Sequence, residues 1–547
     1  MITRKRFFSN FLTDFPDFAE EPTAPSAEVV ALGRITYGAT SESVEVVRRK
    51  GLIAYITEQL NPDDEDDEVV KSKLASMTLH IKYDAVVDKY DAKDEDRPLS
   101  YLNASIDKLW PLTDQKNFMA NQERVRPVEE VRVASWIRAV YSKWQLKEIM
   151  TEFWHNHFNV NAFSETKVSS TFPIYDRDVI RKNCFGNFRG FLEDVAKSTA
   201  MQYYLDNFSS KASPANENFA RELFELHTLG SGHYFNNLYN RWREVPGALE
   251  RKPIGYIDED VYEAARSFTG WTIADGSGLG KGDNLPNTGS FYYYDGWHDN
   301  YQKRVLGVEF DPNQPPLADG LKVLDLVAYH PGTAKHLCEK LCQRFISDTP
   351  SASIVNGAIA VWIKHQKSND QIKETLRYIL LSKEFTTSWG KKVKRPFELI
   401  ASMLRATTAD FTPNQNLTGQ LSQMGYFHYQ WPTPTGHPDK SDYWLSSNTM
   451  LARWNTAINL FTNKQNKLAV FNFRSLVPSE IKTSNQVTEF WIKRMLLKNK
   501  SPEFLMSMAN YISNGKNPDG LIPDNQFDNR NGNLIALLTM TPDFQLK

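Results

Sequence analysis

Three cysteines in 547 residues are too few for a disulfide framework. Cys338 and Cys342 stand four apart in HLCEKLCQRF and share a helix face, which reads as two small buried apolar residues. A thiolate zinc site needs more sulfurs in tighter turns. Long apolar runs are missing too, since nothing approaches the roughly 18 residues of a membrane span. The opening MITRKRFFSNFLTDFPDFAEEP is basic, but Asp14, Asp17, Glu20 and Glu21 fall where a signal peptide has its apolar region. As written, the sequence predicts a cytoplasmic chain, or a periplasmic or extracellular one if a leader has been removed. A dominant charge is lacking as well. The formal net charge of −2 provides no field to gather nucleic acid or anionic lipid. No nucleic-acid partner and no membrane span are therefore expected. The local cluster Lys391, Lys392, Lys394 and Arg395 reads as a solvated helix end. There is no P-loop, no dinucleotide fingerprint and no Gly-x-Ser-x-Gly elbow, and GSGLGKG at 276–282 has the wrong order and spacing for phosphate.

What is present is globular. Hydrophobic residues make up 41% and charged residues 24%, enough for a large core and two or more domains. Apolar residues recur at helical spacing over 41–60, 128–158, 177–196, 216–229 and 258–268, and again through most of the chain after 317. Between 270 and 314 Gly, Asp and Asn crowd the sequence, and the aromatic run at 290–294 predicts a strand of a hairpin. The acidic run at 63–67 reads as a solvated loop. The expected fold is mainly α: a large helical bundle-like body with a small β-hairpin insertion. The expected boundaries are a polar N-terminal arm over 1–27, a helical main domain over 28–384 carrying the Gly-rich insertion near 270–314, and a C-terminal helical lobe over 385–547 packed on it.

Chemistry concentrates in three phrases. The first is EIMTEFWHNHF. Glu148 and His155 are two helical turns apart and share a face, while Glu152 and His155 have the Glu-x-x-His spacing by which helical bundles grip a metal. His157 joins them if the helix ends nearby, as Asn156 and Asn159 suggest. Imidazole and carboxylate together suit zinc, iron, manganese or copper. The second is NENFARELFELHTLG, where a helical wheel gathers Glu217, Arg221, Glu222 and Glu225 within about 140°. Arg221 is expected to be buried and paired with Glu217 or Glu225. Glu222 and Glu225 are candidate acid and base, and His227 falls on the apolar side as a core histidine. The third is GWHDN, where His298 beside Asp299 in a Gly-rich loop is a candidate base on a lid, with Trp271 and Trp297 as a stacking surface. A surface hairpin closed by the same His and Asp is the alternative.

Several phrases occur together in one bacterial family and in its order: LGRITYGAT (32–40), FWHNHF (153–158), NENFARELFELHTLG (216–230), EAARSFTGWT (263–272), HPGTAKHLCEKLCQRF (330–345) and KRPFELIASMLRATT (394–408). On these the chain resembles the domain-of-unknown-function family eighteen-hundred over roughly residues 30–460. The resemblance implies a helical fold and, from other members, export, but no reaction. This chain departs from the pattern in its N-terminus, without an evident export signal, and in a polar insertion near 236–256.

Two functions fit these residues. One is a metal- or carboxylate-dependent enzyme, a hydrolase or oxidoreductase, acting on a small molecule, glycan or peptide in a polar, aromatic-lined pocket. The other is a non-catalytic scaffold or assembly protein whose polar phrases are buried structural networks. Neither substrate nor oligomeric state follows from the residues.

Overall fold

The computed structural model describes residues 24–63, 67–280, 282–463 and 468–547. The expected polar arm therefore lies outside the described residues up to residue 23, as do positions 64–66 of the acidic run. The fold is mainly helical, 56% of it, and among the described residues the sheets are all small and two-stranded. Residues group into two compact units: one holds the chain up to Lys50, Thr386–Thr412 and Trp444–Lys547, and the other Gly51–Phe385 and Pro413–Tyr443.

In the second unit the long periodic stretch at 128–158 becomes two helices, Asn121–Tyr141 and Gln145–His157. The first buries Val128, Val131, Ala134 and Ile137 at three-residue steps. Each large apolar side chain removed from water stabilises the fold by roughly 1.5–3 kcal/mol. Ser142 and Trp144 interrupt the helical backbone and allow the second helix to start in a new direction. The sequence at 177–196 also divides. A π-helical turn, Tyr175–Arg181, follows the Thr166–Ile174 helix, and Asn187 then caps a new helix, Phe188–Lys197, by accepting from the Arg189 and Gly190 amides. That helix buries Phe188, Phe191, Leu192 and Val195.

The stretch at 216–229 is a short α-helix, Asn218–Glu222, continued by a second π-helical turn, Leu223–His227. The wheel drawn for it assumes 3.6 residues per turn. The π turn closes i→i+5 bonds, so the angular positions after Glu222 depart from that wheel while Glu225 still lies near enough to act on Glu222. In the Gly-rich insertion, strand Asn287–Tyr293 pairs antiparallel with Trp271–Asp275, and two shorter ladders follow. A further hairpin, Thr78–Tyr83 with Lys93–Pro98, has no alternating apolar pattern to announce it: one strand reads KDEDRP.

The other unit corrects one reading. Lys392, Lys394 and Arg395 are each less than a tenth exposed, so this basic cluster is not a solvated helix end. The Lys394 ammonium lies 3.8 Å from the centre of the Phe544 ring, and burial lowers its pKa to about 7. The Arg395 amide donates to Glu398, which caps the Pro396–Ala406 helix.

Candidate functional site

The Gln145–His157 helix is buried on nearly every side, so its polar groups must find protein partners or pay desolvation. Glu148 and His155 do share a face, and both meet the Tyr175–Arg181 π turn. The Arg181 guanidinium donates from two nitrogens to the two Glu148 oxygens, at 2.8 and 2.7 Å. His155 Nε2 donates to Asp176 Oδ1 at 2.8 Å, with both side chains almost wholly buried. Arg138, from the preceding helix, lies 4.0 Å from the other Asp176 oxygen. Burial alone would push Asp176 up. The His155 hydrogen bond and the charges of Arg181, His155 and Arg138 outweigh it and hold the carboxyl below its usual range.

Glu152 turns elsewhere, to Arg344 at 3.3 Å. His157 turns elsewhere again, donating from Nε2 to the His227 carbonyl at 3.1 Å. The four residues expected to grip one metal thus reach four different partners. Among the described residues no group of three or more His, Cys, Asp or Glu is arranged to hold a metal ion. Helical spacing put them near one another, but tertiary packing aimed them apart.

His157 lies instead in a group of imidazoles. Its ring centre is 6.2 Å from those of both His227 and His336. His336 donates from Nε2 to the Leu226 carbonyl. His227 is fully buried, and neither of its ring nitrogens has a hydrogen-bond partner among the described residues. Burial, helped by His336, lowers its pKa to about 3; burial and Lys340 lower that of His336 to about 4.

On the NENFARELFELHTLG phrase, Arg221 pairs with Glu217 at 3.1 Å as expected, and also with Asp258 at 3.6 Å. It is not buried, however: 36% of its side chain remains exposed. Glu222 is half-buried, and desolvation, reinforced by Glu225 and opposed by Arg221, raises its pKa to about 7. A carboxyl with that value can serve as an acid or a base near neutrality. Glu225 is likewise half-buried, on the π turn.

The HD pair divides. His298 is buried, with Nδ1 against the Thr269 carbonyl at 2.8 Å and Nε2 against Asp319 at 3.2 Å. Lys303 reaches the same Asp319 oxygen at 2.7 Å. The Asp299 carboxylate turns to Arg266, at 2.7 and 3.1 Å. Burial opposes its ionisation, but the Arg266 hydrogen bond holds its pKa down. Trp271 is fully buried against Phe268 and Phe291, so it offers no open stacking surface.

A cavity of about 970 Å³ opens within the Gly51–Phe385 portion of the second unit. Its wall includes Asp176, Arg138 and Arg181 from the network just described, with Lys147 from the same helix as His155. Lys71, Arg177, Lys182 and Lys373 add four more cations, against a single further carboxylate, Asp370. Cys184 also faces it, its thiol pushed up to about 12 by burial. None of Asp176, Arg138, Arg181 or Lys147 stood out in the sequence. The available signal was the charged string YDRDVIRK running on from the apolar Thr166–Ile174 helix, and it reads equally well as a solvated surface.

The two asparagines of FWHNHF have a separate task. Asn156 donates to the His437 carbonyl at 3.0 Å and accepts from the His437 amide at 2.6 Å, while Asn159 donates to the Thr433 carbonyl at 2.8 Å. Gly436, at φ +67°, allows the backbone to lie against the Asn156 carbonyl where a side chain would collide. They pin the Pro-rich loop around 431–439.

No curated protein and no solved structure matches the chain. A family model described as Protein of unknown function (DUF1800) matches residues 30–546, nearly the whole sequence, and the chain belongs to that family.

Proposed function

We propose that the chain is a carboxylate-dependent enzyme acting on a small polar molecule held in the 970 Å³ cavity, with Asp176 the carboxylate presented to it. The observation that carries this is an ionised aspartate on a cavity wall, oriented from behind by a buried histidine and flanked by two arginines. A volume in this range suits a small-molecule ligand. The low pKa makes Asp176 a poor proton acceptor, which favours a nucleophilic or charge-stabilising role over general-base work. His155 is then a positioning residue. The test is a thermal-shift and turnover screen of sugars, acidic metabolite-sized molecules and short peptides. Ala75→Trp, which narrows the cavity from an exposed helical position, should abolish the shift. Asp176→Asn should abolish turnover. Equal binding by wild type and Ala75→Trp would sink the reading.

A non-catalytic scaffold is the second reading, and one observation favours it: Glu148, Glu152 and Asp299 are all tied to arginines, as buried register-setting networks would be. Metal dependence through zinc, iron, manganese or copper is tested by elemental analysis of the purified protein. Stoichiometric metal would move attention to the imidazoles of His157, His227 and His336.

A further inference from the structure

We infer that Lys394 is a modification site, where its side-chain nitrogen takes up carbon dioxide as a carbamate. The site is separate from the 970 Å³ cavity and lies within the unit built from the chain up to Lys50, Thr386–Thr412 and Trp444–Lys547. Two buried basic side chains of this unit lack a carboxylate. Among the described residues neither Lys394, less than a tenth exposed, nor Arg453, fully buried, forms an ion pair. Glu398, whose charge reaches both, is held instead by Lys547 at 2.5 Å and by the Arg395 amide at 2.8 Å. Asp543 is held by Lys498 and Lys500. The Arg453 guanidinium donates to the Gln545 side chain at 2.7 Å and to the Lys394 carbonyl at 2.6 Å, both neutral, and its Nη1 has no partner among the described residues.

A buried charge without a counter-ion is costly. Lys394 escapes that cost by shedding its proton: burial, joined by the Arg453 charge and opposed by Glu398, lowers its pKa to about 7. The free amine is the nucleophile, and an exposed lysine, with a pKa of roughly 10.4, has almost none of it at neutral pH. Arg453 has no such escape, because a guanidinium keeps its proton there. A carbamate on Lys394 brings the missing anion and turns the repulsion between the two side chains into attraction.

In the reaction the amine lone pair adds to the carbon of carbon dioxide. An N–C bond forms, one C–O π pair moves onto oxygen, and the nitrogen releases a proton to water. Amine and carbon dioxide thus give a carbamate anion and one proton, with no change of oxidation state. Ser402 Oγ accepts an N–H of Lys394 at 3.3 Å and donates its own hydrogen to the Leu399 carbonyl at 2.8 Å, so the hydroxyl is not the activated group. The cavity between Lys394 and Ser402 measures about 40 Å³, room for roughly three water-sized groups, which matches one added carboxyl and excludes a sugar or a peptide. Val29, Val30 and Leu546 make part of its wall apolar, which admits carbon dioxide more readily than a hydrated anion.

The experiment incubates the full chain with ¹³C-bicarbonate near neutral pH, traps carbamates as stable urethanes with a trialkyloxonium salt, and maps them by peptide mass spectrometry. Lys394 should carry at least about tenfold more adduct than the exposed lysines, whose amines are almost wholly protonated. Wild-type protein without adduct at Lys394 would overturn the inference. Bicarbonate should also raise the melting temperature above that in chloride of equal ionic strength, and Lys394→Met should remove both the adduct and the rise. Equal stabilisation by chloride, with no adduct, would reveal a non-covalent anion site and overturn it as well. The trapping result rests on the wild type alone, so it decides the matter even where Lys394→Met fails to fold.

Discussion

Among the described residues, two buried histidine–aspartate pairs of the same composition stand in different settings. His155 holds Asp176 at 2.8 Å, and that aspartate lines a cavity. His298 holds Asp319 at 3.2 Å, and Lys303 closes on the same oxygen at 2.7 Å. The second pair is neutralised by a buried ammonium and has the character of a structural clasp between the Gly-rich insertion and the Ala318–Ala328 helix. In the first, Arg138 stands 4.0 Å from the other Asp176 oxygen, no lysine closes on the pair among the described residues, and the aspartate belongs to a cavity wall. A histidine beside an aspartate therefore says little about function. What meets the other side of the carboxylate decides it.

The sharpest way to break this comparison is Lys303→Ala. It leaves a buried Asp319 with only the His298 contact among those described and should cost about 3–5 kcal/mol in a urea titration. A loss below about 1 kcal/mol would show that the clasp does not depend on the ammonium, and the contrast would vanish. Acid is the next lever. His227 and His336 stay neutral in the fold, with pKa values lowered to about 3 and about 4, whereas unfolded histidines take up a proton near 6.5. Their contribution is fully present above pH 6.5 and is lost as pH falls from there towards 4, at about 1.4 kcal/mol per pH unit for each. Lowered carboxyls such as Asp176 also lose stability in acid, so the readout is differential: His227→Phe should flatten the slope of stability against pH between 6 and 4.5. An unchanged slope would show that His227 is protonated without opening the fold.

His155→Ala should cost about 1–3 kcal/mol, the worth of a buried hydrogen bond to a charged group, and should also lose the ligand-dependent thermal shift. His298→Ala should lose similar stability and leave that shift intact. If both variants keep it, Asp176 needs no histidine behind it. The smallest effect belongs to Arg221→Ala. With more than a third of its side chain in solvent, its pairs with Glu217 and Asp258 should contribute no more than about 1 kcal/mol. A larger loss by denaturant titration would mean that the Asn218–Glu222 helix relies on this arginine to hold Asp258.

Much of the molecule was legible in the residues, and the limits of that reading are specific. The helices came from apolar spacing, and the strand in the Gly-rich insertion came from an aromatic run between turn residues. Glu148 and His155 were rightly placed on one face, because seven residues is two turns of any regular helix. The prediction failed wherever a helix left its regular geometry. At Leu223–His227 a π turn replaces the regular helix on which the wheel was drawn, although Glu225 still lies near enough to raise Glu222, and at Tyr175–Arg181 the same distortion put Asp176 and Arg181, five apart, opposite Glu148 and His155. Burial of Lys394 had no local sign at all, since its shelter is the distant Phe544.

By itself, then, the sequence determined the helical class, the family and the polar phrases that matter, because these depend on residue types and on spacing within one turn or two. Which charged group meets which, and which carboxylate faces open space, only the tertiary structure decided. A buried charge is held by whatever partner the packing of remote segments brings within about 3 Å, and no local period encodes that choice.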